Sequence, residues 1–397
     1  MTSVLLVPDL PLERWPSMDR YASRLSFHLK RYATDLQIAV AGHIGGLTVE
    51  RPAAEPGTFA SIPVPFPVLP TPGANEARRY LARYWRYPRR IRRRDADVLH
   101  VLDHSYAHVV GWWHKGPRVV TVHDLLPVLT VERGGSTLRE RIRNGLLERV
   151  LRALRTADAW IVATEWLREE LATWLGHARN IHVIPYGVDD AFFAPPAVPR
   201  AETRTRLGIP PDALVVLHVG SVGPRKNIPA VMAAVRGLRE TQCNAWLLQV
   251  GGTLSPAQRR DLAAQGLQDV TRNLPDAAEP DLRAAYRAAD VLLFPSHYEG
   301  FGFPVLEAMA SGLPVVTSGA GGLAEVAGDA AVVVGGRETA PYVTALRRLA
   351  TNAPWRGQLI ARGVERARRF RWVETARQTA EVYRRIAREA GSGKRET

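Results

Sequence analysis

Short apolar runs alternate with helical patterns along this chain, and they form two series separated by a proline- and alanine-rich break. Each run has the length of a strand and is bounded by turn residues, so we interpret the runs as buried parallel strands. Strand–helix alternation of this kind predicts an α/β protein with two doubly wound domains. The first series is Val4 to Val7, Gln37 to Ala41, Val98 to Leu102, Val119 to Val122, Ala159 to Ala163 and His182 to Pro185. The second is Leu214 to Val219, Ala245 to Val250, Val291 to Phe294, Pro314 to Thr317 and Ala331 to Val334.

The break at Phe193 to Pro199 marks the predicted hinge between the domains. We predict an N-terminal Rossmann-like domain at 1–187, a linker at 188–200 and a C-terminal Rossmann-like domain at 201–370. A last helix is predicted at 371–390. Ligands of open α/β sheets bind beyond the carboxyl ends of the strands, so two such domains predict a cleft that both sheets face.

The composition narrows the class of protein. A single cysteine, Cys243, excludes an intramolecular disulfide and favours a reducing compartment. The first residues lack the basic and apolar segments of a signal peptide, and no apolar run reaches the roughly 18 residues that cross a bilayer. We therefore expect a cytoplasmic protein, either soluble or peripheral at the inner face of the membrane.

Two carboxylates eight positions apart, Glu299 and Glu307, flank a glycine-bearing turn that opens a helix. Pro304 stands at the start of that helix, predicted from Val305 to Ser311. Gly300 and Gly302 allow a ligand to approach the backbone, and free amides at a helix N-terminus favour an anion. Acids beside an anion site indicate a ligand with both hydroxyls and phosphates.

A second loop carries the cations that such a ligand needs. The segment from Gly220 to Asn227 follows a strand and precedes a helix, and it contains Ser221, Arg225 and Lys226. Arg225 can donate to two phosphate oxygens at once and Lys226 supplies a compact charge. Its glycines and lysine do not fit the spacing of a Walker loop.

These two motifs resemble the E-x7-E motif and the phosphate-binding G-x-x-x-x-R-K loop of retaining, family-4-type glycosyltransferases with the GT-B fold. The resemblance implies that Glu307 holds the ribose hydroxyls, that Glu299 holds the donor sugar, and that the amides of Phe301 to Phe303 address the sugar or the diphosphate. It implies that Arg272, Asn273 and Leu274 pack the nucleotide base, and that the last helix braces the N-terminal domain. The family often has arginine where this chain has Ser221.

In the N-terminal half, His123 and Asp124 stand where a predicted strand ends. The resemblance implies that His123 reaches the transferred sugar and the acceptor side, which makes it the catalytic candidate of this half. Asp124 either orients His123 or caps the next turn. The first strand–helix turn, Glu13 to Tyr21, resembles a bacterial subgroup with Ser-Met-x-Arg-Tyr, where we expect Ser17 to cap the helix and Ser17 and Met18 to lie on the acceptor side.

The net charge of +14 is concentrated in one segment, since Arg78 to Arg94 holds nine arginines and no acid. Aromatic residues are interleaved with them, and we predict a helix from Ala77 to Tyr87 that Pro88 stops. Such a helix suits an anionic membrane surface, and arginine with aromatics also suits nucleic acid, which we do not expect as the partner. A solvated arginine-rich face is the third interpretation.

We predict no metal site. His100, His104 and His108 recur every four residues, but the first lies in a predicted strand, so the three do not converge. No Asp-x-Asp pair follows a strand, and the cations of the loop replace a metal. The predicted function is a retaining, metal-independent glycosyltransferase without a cofactor, moving mannose or glucose from a GDP- or UDP-sugar to a polysaccharide or lipid-linked oligosaccharide. The alternatives are an epimerase or phosphorylase on the same fold, or a non-catalytic protein that binds anionic ligands.

Overall fold

The computed structural model describes residues 1–10, 16–41, 78–126, 137–195, 197–336 and 338–392. The chain forms two compact units. The N-terminal unit comprises the described residues of Met1–Val162, Leu171–Ile184 and Thr375–Thr397, and the C-terminal unit those of Ala163–Glu170 and Pro185–Glu374. The predicted domain limits at 187, 200 and 370 stay a prediction.

The N-terminal unit is built on a six-stranded parallel sheet of order β2-β1-β3-β4-β5-β6. Its strands are fully buried runs at the centre, such as Val98–Val101 and Ala159–Val162, which is typical of a sheet covered on both faces. The strands are β1 Thr2–Val7, β2 Leu36–Val40, β3 Val98–Val101, β4 Arg118–Val122, β5 Ala159–Val162 and β6 Ile181–Val183. The helices are α1 Pro16–Tyr32, α2 Tyr87–Arg92, α3 Leu138–Leu154, α4 Glu165–Leu175, whose first residues belong to the C-terminal unit, and a 3-10 helix His104–Trp112.

The C-terminal unit repeats this architecture with a parallel sheet of order β12-β11-β10-β7-β8-β9. The two sheets confirm the predicted fold class of doubly wound α/β domains. The strands are β7 Leu214–Val219, β8 Ala245–Val250, β9 Thr271–Leu274, β10 Val291–Phe294, β11 Val315–Thr317 and β12 Val332–Val333. The helices are α5 Arg200–Arg206, α6 Ile228–Glu240, α7 Pro256–Ala264, α8 Glu279–Ala288, α9 Phe303–Ala310, α10 Leu323–Ala327, α11 Ala340–Thr351, α12 Ala353–Ala367 and α13 Trp372–Ser392.

Helix α13 begins in the C-terminal unit and most of it belongs to the N-terminal unit. There the hydroxyl of Tyr383 lies 2.6 Å from Nδ1 of His100, and Arg384 forms a double hydrogen bond with Asp35 at 2.7 and 2.8 Å. The buried ring of Tyr383 thus ties the end of the chain to β3.

Proline does not end the basic helix, which corrects the sequence prediction. The backbone is helical from Arg78, passes through a π turn at Ala82–Arg86, and continues as α2 to Arg92 with Pro88 inside it. A proline clashes with the carbonyl four residues earlier and cannot donate to it. The wider π turn changes the hydrogen-bond register just before Pro88, which lets the helix accommodate the ring.

Candidate active site

A cluster of charged side chains in the C-terminal unit joins the loop after β7 to the turn after β10. Nζ of Lys226 lies 2.5 Å from Oε1 of Glu299, and Nη1 of Arg225 lies 3.0 Å from Oε2 of the same carboxylate. Lys226 and Glu299 are only 6% and 7% exposed. Lys226 and Glu299 are far apart in sequence but form a buried ion pair. Removing either partner would leave an unpaired buried charge, which costs folding free energy.

The loop geometry explains why the cations point inward. Gly220 has φ +141 directly after β7, a conformation that other residues rarely adopt. Pro224–Lys226 then forms a 3-10 turn, and Asn227, at φ 55, anchors the loop by donating to the carbonyl of Pro295 at 3.2 Å. Helix α6 starts at the next residue.

Burial alone would raise the pKa of Glu299, but the charges of Lys226 and Arg225 outweigh it and hold the pKa below its usual value. Glu299 is therefore ionised at neutral pH. The cluster has two cations and one anion, so it keeps a positive excess that suits a phosphate.

In the turn that begins at Glu299, the backbone carbonyls of Glu299 and Gly300 accept hydrogen bonds. The carbonyl of Glu299 accepts from Gly322 at 2.8 Å and that of Gly300 accepts from Thr164 Oγ1 at 2.9 Å. In the described part of the chain, the amides of residues 300–303 donate no hydrogen bond. They stand at the N-terminus of α9, where unpaired amides favour an anion.

Glycine at position 302 is required by this geometry. It lies at φ +107, and a Cβ there would sit 2.4 Å from Cδ2 of Leu323. The neighbouring rings of Phe301 and Phe303 are structural, because they pack with each other and with the ring of Tyr186 at centroid distances of 4.9 to 5.5 Å. The backbone at Phe301 and Phe303, rather than their side chains, is what a ligand can use.

Glu307 is buried in the second turn of α9 and is 2% exposed. The hydroxyl of Tyr286, in α8, donates to its Oε2 at 2.7 Å. A donor from a neighbouring helix fixes the orientation of this carboxylate.

In the N-terminal unit, His123 follows β4 and is 7% exposed. Its Nε2 lies 2.8 Å from the carbonyl of Leu102, and Tyr21 packs edge-on against its ring at 5.0 Å. Burial lowers its pKa, so the imidazole is neutral at pH 7. Asp124 is half-buried and its Oδ1 accepts from the amide of Leu126 at 3.1 Å, so it caps the next turn, one of the two predicted alternatives.

Comparison with known proteins shows which family this sequence belongs to. The sequence model of Glycosyltransferase Family 4 matches residues 18–192, and that of Glycosyl transferases group 1 matches residues 199–366. The chain is 38% identical over 325 residues to a D-inositol 3-phosphate glycosyltransferase of Kineococcus radiotolerans, covering 75% of this chain and 74% of the relative. The chain belongs to the family-4, group 1 glycosyltransferases.

Solved structures agree on the fold of this glycosyltransferase. Sucrose-phosphate synthase from Thermosynechococcus elongatus matches with a TM-score of 0.70 at 23% identity, covering 97% of this chain and 99% of the other. HepE from Anabaena, in complex with UDP-glucose, matches with a TM-score of 0.68 at 17% identity over 96% and 99% of the two chains. The GT-B fold expected from the motifs is thus confirmed.

The three residues of the glycosyltransferase predicted to pack the nucleotide base make hydrogen bonds within the C-terminal unit. Arg272 donates to the carbonyls of Leu207, Gly208, Asp269 and Thr271 and lies over the ring of Trp246 at 4.7 Å. These bonds hold its guanidinium at the amino end of β9, and its role toward a nucleotide base stays a prediction.

The residues after Arg272 support the neighbouring loop. Asn273 accepts from the amide of Leu254 at 3.1 Å and donates to the carbonyl of Gly252 at 2.8 Å. The carbonyl of Leu274 accepts from Gly251 at 3.0 Å. Asn273 and Leu274 therefore support the loop after β8. Their role toward a nucleotide base stays a prediction.

One prediction about α1 differs from the structure. The helix starts at Pro16, so Ser17 is an exposed residue of its first turn and is not its cap. Met18 is half-buried beside it, and Glu13 to Trp15 lie outside the described residues. The acceptor-side role of Ser17 and Met18 stays a prediction.

The three histidines of the four-residue repeat have separate hydrogen-bond partners. His100 is in β3 between Tyr383 and Thr121, whereas His104 and His108 lie in the 3-10 helix. Nε2 of His108 lies 3.0 Å from the carbonyl of Arg83. Across the described ranges, no group of three or more His, Cys, Asp or Glu side chains could hold a metal ion.

Sequence reasoning missed a residue beneath the cation loop. His218, in β7, is fully buried, its Nδ1 lies 2.7 Å from Oε1 of Gln249, and its ring stacks on Phe294. Burial and the charge of Lys226 lower the pKa of His218 to about 4, so it is neutral. Nζ of Lys226 lies 4.8 Å from the centre of the Phe294 ring. The position of His218 near the carboxyl end of β7, just before the cation loop, is the sequence signal that could have identified it.

Proposed function

We propose that this glycosyltransferase moves a hexose of the mannose or glucose class from a nucleoside-diphosphate sugar to a polysaccharide or lipid-linked oligosaccharide, with retention of the anomeric configuration and without a metal. The observation that carries the proposal is the ion cluster of Arg225, Glu299 and Lys226 beside the unpaired amides at the start of α9. Cations and amides together suit a diphosphate, and a carboxylate next to them suits sugar hydroxyls.

Each donor residue then has a role that its position supports. Arg225, Lys226 and the amides of residues 300–303 bind the diphosphate, with Gly220 and Ser221 giving it room to approach. Glu299 accepts hydrogen bonds from the hydroxyls of the sugar. Glu307, held by Tyr286 at 2.7 Å, accepts from the ribose.

In the reaction, the bond between the anomeric carbon and the diphosphate oxygen breaks while the acceptor oxygen bonds to the same face of that carbon. Negative charge grows on the departing diphosphate, and Arg225 and Lys226 stabilise it. Preformed charges of this kind are usually the largest single contribution to catalysis. The departing phosphate oxygen takes the acceptor proton, so no separate strong base is needed. For His123 we propose a contact with the sugar as a neutral imidazole.

Donor identity is the first experiment. UDP-glucose and GDP-mannose both remain candidates, and the HepE neighbour in complex with UDP-glucose favours testing the former first. A donor at 100 times its dissociation constant should stabilise the protein by about 2.7 kcal/mol in a thermal-shift titration. Proton NMR of the product then reports the configuration of the new linkage, and an inverted linkage would refute the retaining mechanism.

Metal independence has its own test. Activity measured with excess EDTA should equal activity without it, because the cations of the loop are proposed to neutralise the diphosphate. Complete loss that magnesium or manganese restores would overturn this part of the proposal. A yellow protein with a pyridoxal phosphate absorbance band would instead support the phosphorylase alternative.

We also propose that the Arg78–Arg94 segment binds anionic membranes, which would bring a lipid-linked acceptor to the enzyme. Leu81 and Trp85 are 45% and 49% exposed one helical turn apart, and the guanidinium of Arg89 lies over the Trp85 ring at 5.2 Å. Tyr87 and Ile91, on the opposite side, are buried. An apolar strip within exposed arginines is the pattern of a helix that lies on a membrane surface. No helix of the described residues is both long and apolar enough to cross a membrane.

Vesicle binding tests the membrane proposal. Each arginine near an anionic surface contributes roughly 1 kcal/mol, so replacing five of them with glutamine should abolish binding while sparing hydrolysis of a soluble donor. The variant changes Arg89, Arg90, Arg92, Arg93 and Arg94. A control with the same net charge changes exposed arginines of the C-terminal unit to glutamine: Arg236, Arg260, Arg347, Arg362 and Arg369. Equal loss in both variants, or no binding by wild type at low salt, would leave the segment a solvated face.

A further inference from the structure

A second polar cluster lies at the carboxyl edge of the N-terminal sheet, and most of its members were not predicted. Val7 and Val101 are partners across β1 and β3, so Asp9 and Asp103, each two residues further on, follow neighbouring strand ends. His123 and Asp124 directly follow β4, the next strand of the sheet. Three adjacent strands thus end in acidic or imidazole side chains.

His104 sits between two of these carboxylates. Its Nδ1 is 3.6 Å from Oδ1 of Asp103 and its Nε2 is 3.9 Å from Oδ1 of Asp124. The amide of His123 donates to Nδ1 at 3.4 Å, so Nδ1 is the accepting nitrogen and Nε2 is the ring nitrogen that carries a proton. That Nε2 is buried, and it has no hydrogen-bond partner in the described part of the protein.

Asp9 offers the second unpartnered group. It is 8% exposed, and its Oδ2 is buried without a hydrogen-bond partner among the residues described. A polar side chain that is more than nine-tenths buried rarely lacks a partner, so both atoms are suited to meet one on a ligand. Asp124, with a side chain 25% exposed, is the member of the cluster that solvent reaches most readily.

The protonation of the cluster follows from its charges. Burial, Asp103 and Asp19 raise the pKa of Asp9 to about 8, so it carries a proton at pH 7. Burial alone would raise the pKa of Asp103, but His104, His123 and the donors of Ser105 outweigh it and lower the pKa. The pair therefore holds one proton, on Asp9, and one negative charge, on Asp103.

The cation nearest to this pair is already engaged. Arg83 lowers the pKa of Asp9, but its guanidinium donates to the carbonyl of Ser105 at 2.7 Å and lies over the ring of Tyr106 at 4.3 Å. Asp19 adds a carboxylate to the first turn of α1, where an anionic ligand would otherwise be favoured.

We infer that this cluster binds a neutral, hydroxyl-rich part of the acceptor and rejects a phosphate monoester there. The inference rests on the proposed glycosyl transfer and specifies its acceptor. Hydroxyl groups of a sugar or polyol can donate to Asp103 and Asp124 and accept from the Asp9 carboxyl and from Nε2–H of His104. A phosphate in the same place would add negative charge to a cluster that already holds the carboxylates of Asp103 and Asp124 around His104.

Matched acceptors test the inference. Transfer from the donor identified by thermal shift is measured to myo-inositol and D-myo-inositol 3-phosphate, and to glucose and glucose 6-phosphate. We expect kcat/KM for the neutral member to exceed that for its phosphate by on the order of 100-fold, the effect of like charges a few ångströms apart. A preference for the phosphate in either pair overturns the inference while leaving the transferase function intact.

A binding measurement covers the case in which none of these acceptors is turned over. Calorimetric titration with D-myo-inositol 3-phosphate should show no saturable binding to wild type, and Asp124→Asn should gain binding or lose about tenfold of the discrimination. The matched control Asp95→Asn removes the same charge from an exposed site and should change neither. Saturable wild-type binding that His104→Ala abolishes would overturn the inference. Donor that is neither bound nor hydrolysed would instead count against the proposed function.

The pH profile gives a readout that a structural role would not produce. Transfer to the neutral acceptor should decline as the pH rises through about 8, because Asp9 then loses the proton that it donates and adds charge beside Asp103 and Asp19. Asp9→Asn cannot ionise, so it should remove this alkaline decline whatever its effect on the plateau. An unchanged decline in Asp9→Asn would contradict the assigned protonation.

Discussion

The two units of this glycosyltransferase use the same architectural position, the carboxyl edge of a parallel sheet, for clusters of opposite character. In the C-terminal unit two cations enclose Glu299 beside free amides. In the N-terminal unit carboxylates enclose His104 and neighbour the neutral His123. The shared fold therefore does not set the ligand. A few side chains at the strand ends distinguish the two edges, and we propose that one binds phosphates and the other hydroxyls.

The cationic cluster gives the largest expected effect. Lys226→Ala should lower turnover by about 100-fold, the usual loss for one preformed charge-stabilising group. Burial of Lys226 adds a cost that the sequence did not reveal, because Glu299 keeps only Arg225, and we expect a loss of stability below about 3 kcal/mol. Steady-state kinetics and thermal unfolding measure the two effects. Lys115→Ala, an exposed cation paired with Asp95, is the control, and turnover within a few-fold of wild type in Lys226→Ala would remove the loop from the diphosphate site.

The next largest effect is expected on the pH dependence of stability, from the buried His100 of the N-terminal unit. Burial lowers the pKa of His100 to about 3, so the unfolded chain takes up its proton near pH 6.5 while the folded protein does not. The stability that this histidine contributes is complete above pH 6.5 and is lost as the pH falls from there toward 3. Relative to His100→Gln, wild type should lose about 2 kcal/mol of unfolding free energy between pH 7.5 and pH 5.

Urea unfolding at several pH values measures this loss, and the exposed His114→Gln should show the wild-type pH dependence. If His100→Gln and wild type lose stability in parallel, the buried imidazole is not neutral, and the contrast between the two units loses one of its supports.

Donor affinity tests the second carboxylate of the C-terminal unit. Glu307→Gln should weaken nucleotide-sugar binding about tenfold, because a hydrogen bond to a charged acceptor is worth about 1.5 kcal/mol or more. Tyr286→Phe keeps Glu307 but removes the hydroxyl that orients it, so calorimetry should show a smaller weakening. Equal effects in both variants would assign Glu307 to packing, and unchanged affinity in Glu307→Gln would move the ribose site elsewhere.

The smallest effect is expected from a chain of hydrogen-bonded side chains that packs against His123. Hydrogen bonds of 2.6, 2.7 and 2.9 Å link Tyr383, His100, Thr121 and Tyr21, and Tyr21 packs against His123. Tyr383→Phe leaves Nδ1 of His100 without its partner, which should cost about 1 kcal/mol of stability. Transfer should fall only a few-fold with donor affinity unchanged, and a fall in donor affinity would refute a role confined to the N-terminal unit.

Much of the fold followed from local patterns. Strand–helix alternation predicted both parallel sheets, because a short apolar run between turn residues has few stable alternatives to a buried strand. The predicted bounds of β7, β8 and β10 equal the observed ones. The motifs also predicted that Arg225, Lys226 and the Glu299 turn serve one ligand. The structure brings them together because both loops follow strands that are neighbours in the sheet. The prediction that Pro88 ends the helix was wrong, because a π turn that no local sequence pattern indicated accommodates the proline.

Side-chain direction was decided by the tertiary structure. Nothing in the sequence around Arg272 indicated that its guanidinium donates to four backbone carbonyls, which the fold brings near it. Asp9 and Asp103 follow strands separated by 91 positions, and only the parallel register of β1 and β3 brings them together. The sequence by itself determined which segments are strands and helices, because periodicity and turn chemistry are local. The raised pKa of Asp9 depends on burial and on charges from distant segments, so only the tertiary structure decided it.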